Sequence, residues 1–213
     1  MANEPKLQAM LDEVEIRRCR AGWAFARDLG EWDLMRTYFH PDATVAVSWY
    51  AGPIGAFFDN TVKLRANLKP TERSKHWIGS MRCFLNGDRA ILETDVLLFA
   101  RDEIEGKLFD YTAWMRFHDQ VERRAGVWRI AKWVAIYDKD RFDPVVPGSV
   151  PASFFSGVDF SKGANAVAFM QLRQAKLGRT MPPGLMIGGS EAEAALKAAG
   201  RAWLAETAQR KAS

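Results

Sequence analysis

The residues that could move a proton or bind a metal are few in this chain of 213 residues. Its three histidines, His40, His76 and His118, lie far apart, and no HxH, HxxxH or His-carboxylate cluster at ligand spacing accompanies them. Cys19 and Cys83 are too few for a disulfide framework or a zinc site. No GxGxxG sequence opens a strand-helix-strand unit. We therefore predict chemistry that needs neither a metal nor another cofactor.

Aromatic side chains are abundant, with eight Trp and thirteen Phe. They could pack as an ordinary core or line a pocket for a flat ligand. Among the carboxylates, Asp28 continues an apolar stripe of the first predicted helix, formed by Leu7, Leu11, Val14, Ala21 and Phe25. An ionised carboxylate in an apolar cavity is costly unless a cation or a hydrogen-bond donor meets it. We therefore expect a partner for Asp28.

The elements that must position these residues change character along the chain. Helical periodicity predicts helices over residues 5–29, 31–39 and 52–70, with a short β-branched strand at 44–49. Two pairs of long strands follow, joined at Asn86-Gly87 and across ERRAG. Two further helical stretches end the chain, and the second opens with the capping box Ser190-x-x-Glu193. Helices followed by a run of antiparallel strands predict an α+β fold.

Five fragments in this order resemble the NTF2-like superfamily, in its SnoaL-like branch with scytalone dehydratase and the hexachlorocyclohexane dehydrochlorinases. They are ARDLGEWD, YFHPDA, the lone His76 opening a long strand, NGDRA, and HDQVERRAGVWRIAK. The resemblance covers about residues 8–143 and implies a cone-shaped roll, in which a strongly bent antiparallel sheet packs on three N-terminal helices around a hydrophobic cavity. We expect this cone over residues 1–145, and a C-terminal extension of a loop and two helices, residues 146–213, docked on it.

The same resemblance implies a catalytic pair, because lyases of the family use an Asp at the end of helix one and a His at the start of a strand. Their spacings carry this pair over to Asp28 and His76, 48 residues apart. A hydrogen bond to Asp28 would fix one tautomer of the imidazole and leave its other nitrogen as a general base. The Lys and Arg that accompany the pair in the dehydrochlorinase are Trp23 and Trp133 here, which argues against a halide leaving group.

Strand alternation and the resemblance together propose the cavity wall. Small residues at Ala113 and Ala135, between larger ones, leave volume for a ligand, although ordinary core packing must account for most of these positions. Hydroxyl donors are available at Tyr50, Tyr111 and Tyr137. The predicted substrate-binding residues are Trp23, Trp49, Tyr50, Val96, Leu98, Met115, Phe117, Trp133 and Tyr137.

Other polar residues are assigned places away from the cavity. His40, in the turn before Pro41, is expected at the surface, and His118 on the face opposite Phe117. Glu93 and Asp95 interrupt an apolar strand and are expected outward or paired.

Three functions fit these features. The first is a cofactor-independent lyase that removes water or formaldehyde from a small hydrophobic aromatic compound, such as a lignin-derived diarylpropane. The second is an isomerase or polyketide cyclase of the same fold, which needs an acidic base and an oxyanion partner such as a tyrosine. The third is a non-catalytic binding module. An Asp–His contact inside a cavity favours the enzymes, whereas a cavity filled by Trp23 and Trp133 favours the module.

Charge and targeting signals limit which partners we expect for the protein. The formal net charge is +4, but acidic and basic residues are interleaved, so we expect no nucleic acid. The sequence has no apolar stretch of 18 residues and no apolar signal region near Met1, so we expect no membrane association and a cytoplasmic protein. The resemblance implies a homo-oligomer, either a dimer or a trimer.

The apolar loop TMPPGLMIGG, residues 180–189, needs a surface to cover. It could patch the core or act as a lid over the mouth of the cavity. We expect it to pack over or near the mouth, with Gly184, Gly188 and Gly189 allowing it to hinge.

Overall fold

The computed structural model describes residues 3–158 and 165–210, with side chains through residue 206. The helices are α1 Glu4–Leu29, α2 Trp32–Thr37, α3 Ile54–Ala66, a 3-10 helix Ala152–Phe155, α4 Ala168–Lys176 and α5 Glu191–Arg210. The strands are β1 Phe39–Val47, β2 Tyr50–Pro53, β3 Arg73–Asn86, β4 Arg89–Ile104, β5 Lys107–Arg124, β6 Val127–Pro144 and β7 Met186–Ile187. The predicted α+β class is confirmed.

Helix α1 ends where its sequence predicts but buries a different face. Gly30 adopts a left-handed φ of 80° as its C-cap and donates its backbone N–H to the Ala26 carbonyl, which places Asp28 in the last turn. The predicted stripe is wrong, because Leu7, Leu11, Val14 and Phe25 are 48–65% exposed. The buried face instead consists of Asp12, Ile16, Cys19, Arg20, Trp23, Ala24 and Ala26.

The strands form one sheet in the order β2-β1-β6-β5-β4-β3, with β7 added to β6. The long strands β3 to β6 are antiparallel neighbours, as predicted. However, the sheet is mixed rather than wholly antiparallel, because β1 and β7 each run parallel to β6. The parallel pairing of β1 is possible because β1 and β6 are not joined by a hairpin: β2, α3 and β3 to β5 lie between them along the chain.

Turns and bulges shape this sheet. Asn86 pairs with Arg89, and Gly87 has a φ of 60°, so the predicted hairpin closes through Gly87. At the ERRAG turn, Ala125 and Gly126 both have positive φ, as a two-residue hairpin loop requires. Register shifts interrupt the β3–β4 and β5–β6 pairings. Such bulges bend strands, which allows the sheet to curve around α1 and α3.

The C-terminal segment packs on this roll at several points. Phe154 of the 3-10 helix stacks on Phe109 with 4.7 Å between ring centroids. In α4, Arg173 makes two bonds to Asp102, of 2.6 and 2.8 Å. Helix α5 lies on the outer face of the sheet, where a Cβ at Gly200 would meet the His118 ring at 2.9 Å. Glycine therefore permits the close approach of α5.

The loop of residues 180–189 is held as part of the sheet. Met186 and Ile187 pair with β6, and the Gly188 N–H donates to the Tyr137 carbonyl at 2.8 Å. The Ser190 hydroxyl accepts from the Glu193 N–H at 3.1 Å, so the predicted cap forms. Thr180 lines the cavity, whereas the later residues of the loop do not. Helix α4 and residues 178–180 therefore border the cavity, and the expected position of the loop next to it holds only at Thr180.

Candidate active site

A cavity of about 490 Å³ lies between the sheet, α1, α3 and α4. Its deep part is apolar and aromatic, and seven of the nine predicted binding residues line it: Trp23, Trp49, Leu98, Met115, Phe117, Trp133 and Tyr137. Two do not. Tyr50 donates its hydroxyl to the Pro53 carbonyl at 2.9 Å, and Val96 is buried in the core outside the cavity.

Asp28 and His76 meet at the wall of this cavity. His76 Nδ1 lies 2.9 Å from Asp28 Oδ1, and the His76 backbone N–H donates to Asp28 Oδ2 at 2.6 Å. The two side chains are 9% and 8% exposed. Both carboxylate oxygens are thus used to fix the histidine, so Nδ1 carries the proton and Nε2 has its lone pair free. His76 lines the cavity, and Nε2 has no hydrogen-bond partner among residues 3–158 and 165–210.

Sequence-local features bring the pair together. Asp28 is in the last turn of α1, and His76 is the fourth residue of β3, opposite Leu98 of β4. The Trp23 ring lies 5.1 Å from the imidazole, centroid to centroid, at an interplanar angle of 63°. The imidazole is therefore held by one hydrogen bond to Asp28 and by an aromatic edge contact, and the His76 backbone by a second bond to the same carboxylate.

The charge state of the pair follows from its surroundings. Burial, the positive charge of Arg27 and then that of Arg20 lower the pKa of His76 to about 4, although the Asp28 carboxylate opposes this shift. For Asp28, burial raises the pKa, but the bond to His76 and the charges of His76 and Arg27 outweigh it, so the pKa of Asp28 is lowered. At neutral pH the pair is thus a carboxylate and a neutral imidazole, which is the form that accepts a proton.

A buried ion pair, which was not predicted, packs behind the aromatic side chains that line the cavity. Arg20 binds Asp119 through two bonds, of 2.9 and 2.5 Å, and both side chains are fully buried. The guanidinium lies 4.6–4.7 Å from the ring centroids of Trp23, Phe117 and Trp133. The positive charge of Arg20, one turn of α1 before Trp23, therefore lies beside both Trp23 and Trp133. The sequence did carry a sign of this ion pair, because the charged Arg20 falls between Ile16 and Trp23 on a second apolar stripe of α1.

Polar groups in the deep part of the cavity are few. Tyr137 accepts the Ser48 backbone N–H at 2.7 Å on its hydroxyl oxygen, and burial raises the pKa of Tyr137 to about 12. The Tyr137 hydroxyl thus keeps its own proton to donate. The indole Nε1 atoms of Trp23 and Trp133 are buried and have no partner among the described residues.

His40, His118, Glu93 and Asp95 lie outside the cavity. His40 is buried, with Nε2 3.0 Å from the Glu122 carbonyl, so its expected surface position is wrong; the strand begins at Phe39 and carries His40 into the sheet. His118 lies opposite Phe117, as expected, under α5. Glu93 pairs with Arg82, and Asp95 is exposed.

Within the described residues, no group of three or more His, Cys, Asp or Glu side chains is placed to hold a metal ion. None of the helices described combines the length and apolarity that a bilayer span requires.

The structure is thus an α+β roll with a hydrogen-bonded Asp–His pair at the wall of an aromatic cavity. The family model of the SnoaL-like domain matches residues 8–134, so the chain belongs to this family, within the NTF2-like superfamily. The match covers the roll up to β6 and includes both Asp28 and His76.

Similar proteins come from fungi and bacteria. Pea pathogenicity protein 2 of Fusarium vanettenii is 30% identical over 146 residues, which are 66% of this chain, and the chain spans about 60% of the length of that relative. A solved candidate scytalone dehydratase of Novosphingobium aromaticivorans has a TM-score of 0.54 at 16% identity, covering 68% of this chain and 95% of its own. The hexachlorocyclohexane dehydrochlorinase of Novosphingobium barchaimii has a TM-score of 0.51 at 22% identity, covering 68% and 99%. The two solved structures show the likeness of the fold.

Proposed function

We propose that this protein is a cofactor-independent lyase that removes water or formaldehyde from a small hydrophobic aromatic compound, such as a lignin-derived diarylpropane. One observation carries the proposal: a neutral imidazole, fixed by a buried carboxylate at 2.9 Å, presents its other nitrogen to an aromatic cavity. The names of the structural neighbours, a dehydratase and a dehydrochlorinase, are consistent with elimination chemistry.

In this reaction His76 acts first as a base and then as an acid. For loss of water, Nε2 takes a proton from carbon, the C–H electron pair forms the double bond, and the departing hydroxide takes the proton back from the imidazolium. For loss of formaldehyde together with water, Nε2 takes the proton of a CH₂–OH group. The electrons of the breaking C–C bond then form the double bond, and the hydroxide on the neighbouring carbon leaves as water. Asp28 stabilises the imidazolium in both cases.

A second function is an isomerase or cyclase in the same cavity. The observation that favours it is the Tyr137 hydroxyl, which lines the cavity and has a proton to donate to an oxyanion. The binding module is the weaker alternative, because a cavity of about 490 Å³ is left although Trp23 and Trp133 both line it.

Product analysis separates these alternatives. The protein is incubated with hydroxylated diarylpropanes, with dehydratable aromatic alcohols and with polyketide-type aromatics, and products are identified by mass spectrometry with an assay for formaldehyde. A lyase gives a product lighter by water, or by formaldehyde and water, whereas an isomerase or cyclase gives a product of unchanged mass. A product of unchanged mass would contradict the lyase proposal.

The pH dependence of the reaction should report the lowered pKa of His76. Protonated His76 is inactive as a base, so kcat/KM should fall on the acid side with a midpoint near pH 4, because the pKa of His76 is lowered to about 4. A midpoint at the usual histidine pKa of about 6.5 would contradict this prediction.

Activity should survive exhaustive chelation and dialysis, because the proposed steps use only Asp28 and His76. The measurement is turnover before and after treatment with a strong chelator, with metal content followed in parallel. Loss of activity that one metal ion restores would overturn the prediction.

A further inference from the structure

The outer part of the cavity is strongly cationic. Only one acidic side chain, Asp102, is among the described residues that line the cavity. Against it stand seven basic side chains from α1, α3, β3, β4, α4 and the turn after α4: Arg27, Lys63, Arg65, Arg73, Arg101, Arg173 and Arg179. The deep part is aromatic, so the cavity combines an apolar interior with a positive mouth.

Three of these cations are neutralised by carboxylates of the protein. Arg173 binds Asp102 at 2.6 and 2.8 Å, and this pair is nearly buried. Arg101 binds Asp110 at 2.7 Å, and Arg27 lies 3.0 Å from Asp28 Oδ1. Beyond these three ion pairs, Glu72 and Asp102 act on Arg179 through their charges, without an ion pair to it among the described residues.

The other four have no ion pair within the described part of the chain. Arg73 donates to the Glu72 carbonyl, and Lys63 is exposed. Arg179 is half-buried, and burial together with the positive charge of Arg173 lowers its pKa. The charges of Arg173 and Arg179 therefore repel, and a bound anion would relieve the repulsion.

Arg65 is the most informative of the four. Its Nη2 donates to the Asp28 carbonyl at 2.7 Å, whereas its Nη1 is buried and has no partner among the described residues. A buried, unpartnered N–H of a charged group is costly, because it has lost water and gained nothing in return. Since Asp28 also binds His76, one residue links Arg65 to the proposed base. The unpaired charge is therefore next to the reaction centre.

We propose that the ligand of this cavity is an aryl carboxylate, whose ring enters the aromatic interior and whose carboxylate binds Arg65 and Arg179 at the mouth. The planar guanidinium group matches a carboxylate with two parallel N–H donors. The inference deepens the proposed function, since it names the substrate class of the same cavity. It does not depend on turnover, because anion binding can be measured by itself.

The test compares two probes that differ only in charge, 4-hydroxycinnamate and its primary amide, by isothermal titration calorimetry on the full-length protein. Wild type should bind the carboxylate at least about tenfold more tightly than the amide, and less so as salt is raised. The Arg65→Met and Arg179→Met double variant should lose this preference, and Arg65→Lys should retain part of it. Arg201→Met is the matched control, since Arg201 is exposed on α5 away from the cavity and its loss should leave the preference unchanged.

Equal binding of the two probes by wild type, or no binding of the carboxylate at millimolar concentration, would overturn the proposal. So would a preference that survives in the folded double variant, with folding checked by circular dichroism. The His76→Ala variant separates the two proposals, because it should keep the carboxylate preference. A preference without turnover of any aromatic compound would refute the lyase and support the anion site, whereas His76-dependent turnover without the preference would refute the anion site alone.

Discussion

Turnover should fall about 10²–10⁴-fold when His76 is replaced by alanine, because the variant loses the group that moves the proton. The fold should persist, since the bond from the residue 76 backbone N–H to Asp28 Oδ2 does not require the side chain. Asp28→Asn should also lower turnover strongly. Its amide N–H₂ would face Nδ1 and favour the tautomer whose proton is on Nε2, so that no lone pair faces the substrate.

The control for this experiment is His118→Ala. His118 is buried like His76 but lies on the other face of the sheet, under α5. Its loss should leave kcat within about twofold of wild type. The measurement is steady-state kinetics of wild type, His76→Ala, Asp28→Asn and His118→Ala, with circular dichroism to confirm folding. Wild-type turnover in a folded His76→Ala variant would show that the dyad is not the catalytic pair.

The largest effect on stability should come from breaking the Arg20–Asp119 pair. Arg20→Met leaves a fully buried carboxylate without its cation, which we expect to lower the free energy of unfolding by about 3–5 kcal/mol. Replacing both partners, Arg20→Met with Asp119→Leu, should recover most of this loss, because neither charge is then left unpaired. The free energies are measured by urea denaturation.

The pH dependence of the single variant provides an independent check. Burial already raises the pKa of Asp119 despite the opposing charge of Arg20, and removing Arg20 raises it further. A raised pKa in the folded state means that the carboxylate costs stability increasingly as the pH rises from its ordinary pKa to the raised one, and costs nothing below the ordinary pKa. The deficit of Arg20→Met should therefore shrink as the pH falls. Arg141→Met, at the exposed pair with Asp143, is the control and should change stability little. A double variant no more stable than Arg20→Met would contradict the role given to this pair.

The site was predictable where its signal is local or lies in a spacing. The resemblance to the family, with its spacing of 48 residues, implied Asp28 and His76, and strand alternation together with that resemblance proposed Met115, Phe117, Trp133 and Tyr137. Alternation itself depends only on where a strand begins and on its period.

The errors arise where a residue is placed by a distant partner. The apolar stripe of α1 was assigned to Leu7 and Phe25, but the helix buries Arg20, whose partner Asp119 is 99 residues away. Periodicity counts a charged residue as a surface residue, so a helix that buries an ion pair is rotated relative to the prediction. The cationic mouth was missed for the same reason. Arg27, Arg65 and Arg179 belong to three separate segments, and only the tertiary fold brings them to one cavity.

The parallel pairing of β1 with β6 has a consequence for the order in which the protein folds. Strands β3 to β6 pair with their neighbours in sequence, so each hairpin can form as soon as its second strand has left the ribosome. Strand β1 must wait for β6, since Val45 pairs with Trp133, 88 positions further along the chain. This pairing is slow, because the chain must close a long loop before the contacts between β1 and β6 can form. Because β1, α1 and β6 together enclose the cavity, the binding site should be among the last parts of the molecule to form, after the sheet that supports it.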